Sequence, residues 1–152
     1  MNPPSTPFPQ RPVVILIVED NPTDVLIAKE GFLHAEMRNT LHVADDGIEA
    51  MEFLRQRGKY ADAPRPDLIV LDLNMPRKNG HEVLAEIKAD DDLKFIPVVV
   101  LTTSKSEEDI NKAYRLHANC YISKPVDFDE FTKVVQTIQD FWFSIVTLPL
   151  EQ

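Results

Sequence analysis

The fold of this chain follows from residues 13–24, which read VVILIVEDNPTD. The first six residues are apolar and mostly β-branched, which is typical of a strand buried on both faces in a parallel sheet covered by helices. Residues 20–24 then provide a capping side chain, a proline at the first helical position and an acid in the first turn. The stretch therefore predicts a strand followed at once by a helix, which we expect to continue through about Glu36.

Three further apolar runs also end on a polar residue. They are Leu68–Leu71 before Asp72, Val98–Leu101 before Thr102, and Tyr121–Ser123 before Lys124. A shorter strand is predicted at Thr40–Ala44, and stretches with helical spacing separate the strands, one of them expected to end at Gly58. Five strands that alternate with five helices predict a single α/β domain with a parallel sheet.

The polar residues that end these runs would meet at the carboxyl edge of the sheet, where open α/β sheets bind their ligands. Glu19, Asp20 and Asp72 would repel one another there unless a divalent cation offset their charge, and Mg²⁺ prefers oxygen ligands. An aspartate can attack phosphorus, while a lysine and a hydroxyl can stabilise a phosphoryl group. The pattern predicts that Asp72 is a phosphoryl acceptor, with Lys124 as counter-charge and Thr102 as sensor.

Composition narrows the possible classes of protein. The 152 residues suit one domain, and a formal net charge of -9 argues against a nucleic-acid partner. The single cysteine, Cys120, cannot form an intrachain disulfide, and no secretory signal opens the sequence, so a cytoplasmic protein is expected. Apolar stretches fall short of the roughly 18 to 20 residues that span a bilayer, so no membrane helix is expected.

Four stretches together resemble the receiver domains of two-component response regulators. They are residues 18–21 (VEDN), 71–76 (LDLNMP), 97–102 (PVVVLT) and 121–125 (YISKP), in the order and spacing of that family. The resemblance implies a flavodoxin-like (βα)₅ fold, a five-stranded parallel sheet of order 2-1-3-4-5 with helices on both faces. We expect a disordered proline-rich tail at 1–11, a receiver domain at 12–143 and a C-terminal extension at 144–152.

The resemblance also implies a role for each site residue. A histidine kinase would phosphorylate Asp72, and Mg²⁺ would be bound by Asp72, Asp20, Glu19 through water, and the backbone carbonyl of Asn74. Thr102 and Tyr121 would form a switch pair which, with Lys124, registers the phosphoryl group and alters the surface of the predicted fourth helix, fifth strand and fifth helix. Such a protein is a phosphoacceptor that assists its own phosphotransfer and dephosphorylation, and is not an enzyme.

Two positions depart from the family pattern. Asn79-Gly80 stands where Asp-Gly is common, which keeps the turn chemistry but loses one charge. His117 stands where glycine is frequent before the fifth strand. Neither position belongs to the predicted site.

A narrower resemblance points to possible partners. Residues 83–88, 98–104 and 141–149 resemble single-domain response regulators that partner cyanobacterial phytochrome histidine kinases. That resemblance implies a cytoplasmic light-signalling protein, often dimeric. The last predicted helix carries Phe143 and Val146 beside its main apolar stripe, which predicts a homodimer through the fourth helix, fifth strand and fifth helix. Because nine residues follow Phe143, we expect output by protein–protein contact.

Three alternatives compete with this interpretation. A hydrolase acting through an aspartyl phosphate would need a second acid two residues after Asp72, where Asn74 stands. A pseudo-receiver, which docks partners without being phosphorylated, remains open as an alternative. Against it, all five functional positions are filled, by Glu19, Asp20, Asp72, Thr102 and Lys124. A dinucleotide-binding domain lacks its glycine fingerprint, because the chain has four glycines and none forms that motif.

Overall fold

The computed structural model describes residues 12–73, 75, 78–102, 111, 115, 120–123 and 128–147. One parallel sheet contains β1 (Val13–Val18), β2 (Asn39–Ala44), β3 (Leu68–Leu71), β4 (Val98–Thr102) and β5 (Cys120–Ser123). The strands lie in the order β2-β1-β3-β4-β5, which confirms the predicted sheet order. The carboxyl ends of all five strands therefore lie along the same edge.

Four helices accompany this sheet within the described residues. They are α1 (Pro22–Leu33), α2 (Gly47–Leu54), α3 (Gly80–Ala89) and the C-terminal helix (Phe128–Thr147), with a 3₁₀ turn at Gly58–Tyr60. The helix predicted between β4 and β5 lies mostly outside the described residues, in which Asn111 and Arg115 are helical. The predicted tail at 1–11 and His117 also lie outside them. Across the described residues, no helix combines the length and the apolar character that a membrane span requires.

The hydrophobic core has two layers, one on each face of the sheet. Along β1, Leu16 and Val18 pack with α2 and α3, whereas Ile15 and Ile17 pack with α1 and the C-terminal helix. Strands β3 and β4 alternate in the same way, because successive side chains of a strand point to opposite faces. This arrangement confirms the prediction that the strand at Val13–Val18 is buried on both faces.

The C-terminal helix covers one face with the apolar stripe predicted from its spacing. Its buried members are Phe131, Val134, Val135 and Ile138. The Phe131 ring meets the Phe32 ring of α1 edge to face, with centroids 6.1 Å apart. The stripe thus joins the two helices on this side of the sheet.

Helix α1 ends at Leu33, so the predicted end near Glu36 is wrong. Ala35 N–H donates to Phe32 O in a tight turn, and Met37 N–H donates to Oε1 of Gln139 at 2.9 Å. The bond to Gln139 joins residues 102 positions apart, so no local pattern in the sequence predicts it.

Helix α2 ends at Leu54, before the predicted stop at Gly58. Gln56, with φ of 55°, takes the left-handed conformation just after the helix, while Gly58 begins the 3₁₀ turn. Glycine normally occupies such a position because a side chain is strained there. The glycine signal therefore predicted a helix end in this region but identified the wrong residue.

Candidate functional site

The pairing of β1 with β3 brings two of the predicted acids to one place. Val18 lies opposite Leu71, so Glu19 and Asp72 leave the sheet side by side at its carboxyl edge. Glu19 N–H donates to Ala44 O at 3.0 Å, and Asp72 N–H donates to Val18 O at 3.1 Å. Both acids thus keep a backbone hydrogen bond to the neighbouring strand, which fixes where their side chains begin.

Three carboxylates form one cluster at this edge. Oxygen atoms of Glu19, Asp20 and Asp72 all lie within 4.8 Å of one another. Glu19 and Asp72 are each 5% exposed, whereas Asp20 is exposed to solvent. The Glu19 carboxylate accepts a hydrogen bond from Asn21 N–H at 3.1 Å, which holds it over the start of α1.

This donor set suits a hard divalent cation. Two buried carboxylates at such a separation repel each other by roughly 1 to 4 kcal/mol, depending on how much water screens them. Mg²⁺ takes oxygen ligands and keeps several waters, so it needs only a few carboxylates and an opening to solvent. The exposed Asp20 beside the buried Glu19 and Asp72 meets both requirements.

The loop after Asp72 is held by close packing against the start of α3. A Cβ atom on Gly80 would collide with the backbone of Asp72 and Leu73, and Gly80 N–H donates to Leu73 O at 3.0 Å. Asn79 caps the helix by accepting from Glu82 N–H at 3.0 Å, so asparagine does preserve the local turn chemistry. Asn74, the predicted carbonyl ligand, lies outside the described residues.

A second contact holds the same loop against α2. A Cβ atom on Gly47 would collide with the backbone carbonyl of Lys78. The Lys78 ammonium pairs with Glu86 of α3, and Arg55, just after α2, reaches the same carboxylate at 3.4 Å. Lys78, which lies just before α3, therefore contacts both α2 and α3.

The remaining predicted site residues are described only in part. Thr102 ends β4 opposite Ser123 of β5, and Tyr121 lies opposite Val100. Lys124 follows Ser123 in the sequence but lies outside the described residues, as do the side chains of Thr102 and Tyr121. The strand register agrees with a place at the carboxyl edge for Thr102, and the roles of these three residues stay predictions.

Sequence reasoning missed two contributors to this site. Asp24 lines the same crevice as Glu19 and Asp72, together with apolar residues of α1, β3 and the C-terminal helix. Its place in the first turn of α1 could have suggested this position, because the helix starts directly beside the acids. Nothing in the sequence gives a comparable indication of the role of Gly80, because that role depends on packing between a helix and a loop.

Comparison with known proteins agrees with this geometry. The model of the response regulator receiver domain family matches residues 15–136. Response regulator Rcp1 of Synechocystis sp. is 50% identical over 138 residues, which cover 91% of this chain and 94% of that protein. The similarity thus extends over nearly the whole of both chains.

Two solved structures are similar in fold and sequence. The crystal structure of the phosphorylated cyanobacterial phytochrome response regulator RcpA has a TM-score of 0.85 and 49% identity, covering 91% of this chain and 99% of that one. The Mn²⁺-bound form of Rcp1 has a TM-score of 0.82 and 50% identity, with the same coverage. One similar protein has thus been crystallised in a phosphorylated form and another with a divalent cation.

Proposed function

Because this chain belongs to the family of response regulator receiver domains, we propose that it is a single-domain response regulator whose Asp72 accepts a phosphoryl group from a histidine kinase. The observation that carries the proposal is the meeting of Glu19, Asp20 and Asp72 within 4.8 Å at the carboxyl edge of the sheet. The phosphorylated relative RcpA supports it.

The proposed transfer uses the Asp72 carboxylate as the nucleophile. One carboxylate oxygen attacks the phosphorus of the kinase phosphohistidine, the P–N bond breaks, and the imidazole leaves with the electron pair and is protonated. The product is an acyl phosphate on Asp72. The backbone bond from Asp72 to Val18 and the packing of Gly80 keep the acceptor in place during this step.

We further propose that the acidic cluster binds Mg²⁺ through Glu19, Asp20, Asp72 and the backbone carbonyl of Asn74. When bound, the cation would offset the negative charge of the carboxylates and of the incoming phosphoryl oxygens. The Mn²⁺-bound form of Rcp1 supports a divalent cation in this family. Glu19 is held by Asn21 N–H, so its carboxylate needs little reorganisation to take part.

The proposed output of the signal depends on the predicted switch residues. We propose that Lys124 and Thr102 register the phosphoryl group and that Tyr121 moves with Thr102, altering the surface around β5. A homodimer through the predicted fourth helix, β5 and the C-terminal helix would read that change. The protein thereby acts as a self-modifying phosphoacceptor that signals through protein contact, without turning over a separate substrate.

The proposed partner is a phytochrome histidine kinase in the cytoplasm. RcpA and the bacteriophytochrome response regulator AtBRR, which is 39% identical over 83% of this chain, are named for phytochrome systems, and this supports the assignment. RcpA aligns with 91% of this chain, so the similarity extends over the whole domain.

Phosphotransfer profiling tests this function. A panel of autophosphorylated histidine kinases, including phytochrome kinases, would be incubated with the wild-type protein and Mg²⁺ for short times. We expect the fastest transfer from a phytochrome kinase and none to Asp72→Asn. If no kinase in the panel phosphorylates the protein, and a kinase binds Asp72→Asn as tightly as it binds the wild type, the phosphorylation-independent docking module would be favoured.

A further inference from the structure

A groove with three arginines lies at the amino-terminal edge of the sheet, opposite the acidic site. Arg55 and Arg57 follow the end of α2, and Arg65 lies just before β3. The turn after α3 forms the other wall with Asp90 and Asp92. In a chain of net charge -9, three cations along one wall of a groove form a local concentration of positive charge that attracts anionic groups.

Two of these arginines are available for binding. Arg57 and Arg65 are exposed and form no ion pair with any other residue in the part of the chain that the structure describes. Arg55 is half-buried and reaches Glu86 at 3.4 Å, a long contact for a guanidinium and a carboxylate. The free guanidinium groups offer forked donors that match carboxylate geometry.

The turn that carries Arg57 is held in one conformation. Gln56 has a φ of 55°, which is strained for a residue with a side chain, and its Nε2 donates to Ala63 O at 2.6 Å. Arg57 N–H donates back to Glu52 O at 2.9 Å. Strain that is maintained by several bonds is common at binding surfaces, because it fixes groups that would otherwise be mobile.

The opposite wall and the floor decide which kind of anion fits. Asp90 accepts hydrogen bonds within its own turn, from Asp92 N–H at 2.8 Å and Leu93 N–H at 3.2 Å, and these bonds hold its carboxylate at the wall of the groove. A compact polyphosphate would bring its whole charge close to these aspartates, whereas an extended peptide can place its carboxylates beside the arginines and a neutral side chain beside the opposite wall. Leu54 and Leu93, both buried, supply an apolar floor that a phosphate could not use but an aliphatic side chain could.

We propose that this arginine groove binds a short acidic peptide segment of a partner protein. Carboxylates of the segment would lie against Arg57 and Arg65, and an apolar side chain between them would contact Leu54 and Leu93. Because the groove and Asp72 lie at opposite ends of β3, such a partner could bind whether or not Asp72 is phosphorylated.

The test is a titration followed by the amide signals of the isotope-labelled, full-length protein. The probe is the blocked peptide Asp-Glu-Leu-Glu-Asp, with Asn-Gln-Leu-Gln-Asn and inorganic pyrophosphate as comparisons. We expect saturable shifts confined to residues 54–57, 65 and 90–93 with the acidic peptide alone. Shifts spread over the surface, or tighter binding of pyrophosphate at the same residues, would overturn the proposal.

Variants of the arginines test whether their charge is responsible for binding of the peptide. Arg57→Gln/Arg65→Gln should weaken binding of the acidic peptide by at least about tenfold, since the loss of one charged hydrogen bond lowers the affinity by about that factor. Lys133→Glu, an exposed cation on the C-terminal helix, is the matched control and should bind as wild type does. Arg57→Glu/Arg65→Glu should instead bind Lys-Lys-Leu-Lys-Lys. Equal peptide affinity in the wild type and both double variants would contradict the assignment.

Discussion

Gly80 lies against the backbone of Asp72, so that α3 starts directly on the residue proposed to be phosphorylated. A Cβ atom at residue 80 would collide with the Asp72 carbonyl and with Leu73. We therefore expect Gly80→Ala to lower the free energy of unfolding by about 1 to 3 kcal/mol, as overpacking does. It should also weaken divalent-cation binding, because Asp72 has to shift; urea unfolding and Mg²⁺ titration measure the two effects.

Gly58→Ala is the control for that experiment. Gly58 has a φ of 58° and open space around it, so alanine there is strained but displaces nothing. We expect a loss of stability of about 1 to 2 kcal/mol with unchanged Mg²⁺ affinity. If Gly80→Ala also kept wild-type Mg²⁺ affinity, the packing at Gly80 would not position the site.

Binding of Mg²⁺ should stabilise the fold, because the carboxylates of the cluster meet only in the folded chain. A concentration a hundredfold above Kd adds about 2.7 kcal/mol of stability, which a thermal melt detects as a higher Tm. Asp20→Asn should raise the Mg²⁺ concentration needed for this effect by about tenfold or more. Asp62→Asn removes an exposed acid elsewhere and should melt like the wild type at every Mg²⁺ concentration; identical Mg²⁺ responses in the two variants would argue against the metal site.

The parallel strands and the acidic cluster were predictable from the sequence for a physical reason, whereas the order of the strands was implied by the resemblance to receiver domains. Buried β-branched runs such as Val13–Val18 identify parallel strands, and the residues that follow such strands share one edge of the sheet. The end of α1 was not predictable, because Met37 N–H pairs with Gln139 far along the chain. Nor was it predictable that Gln56 is the left-handed residue after α2, since propensity favours glycine there and the hydrogen bonds of this turn override that preference.

The bond between Gln139 and Met37 should contribute measurably to stability. Gln139 is 3% exposed, and its Oε1 is the acceptor for Met37 N–H. We expect Gln139→Ala to cost about 1 to 3 kcal/mol, because the buried N–H loses its partner. Lys133→Ala shortens an exposed side chain of the same helix and should change stability by less than about 0.5 kcal/mol. Equal losses in the two variants would rule out a special role for the buried bond.

Glu49 should give the protein a pH-dependent stability in acid. Its carboxylate lies 3.0 Å from Lys59 Nζ and accepts from Tyr60 OH at 2.9 Å, and these bonds, Lys59 first, lower the pKa of Glu49 below its ordinary value of 4.5. The contribution is complete above the ordinary pKa and is lost as pH falls through the lowered pKa of the folded state. Near neutral pH, Glu49→Gln should be less stable than the wild type, and urea unfolding in strong acid should find the two alike. A difference that persists in strong acid would contradict this origin.

The central claim is that Asp72 is the residue that accepts the phosphoryl group. Intact-protein mass spectrometry after incubation with Mg²⁺ and acetyl phosphate tests it most directly. We expect the wild-type protein to gain one phosphoryl group that hydroxylamine removes, and Asp72→Asn, with its fold checked by circular dichroism, to gain none. Labelling of Asp72→Asn to the wild-type extent, or a wild-type label that resists hydroxylamine, would contradict the account.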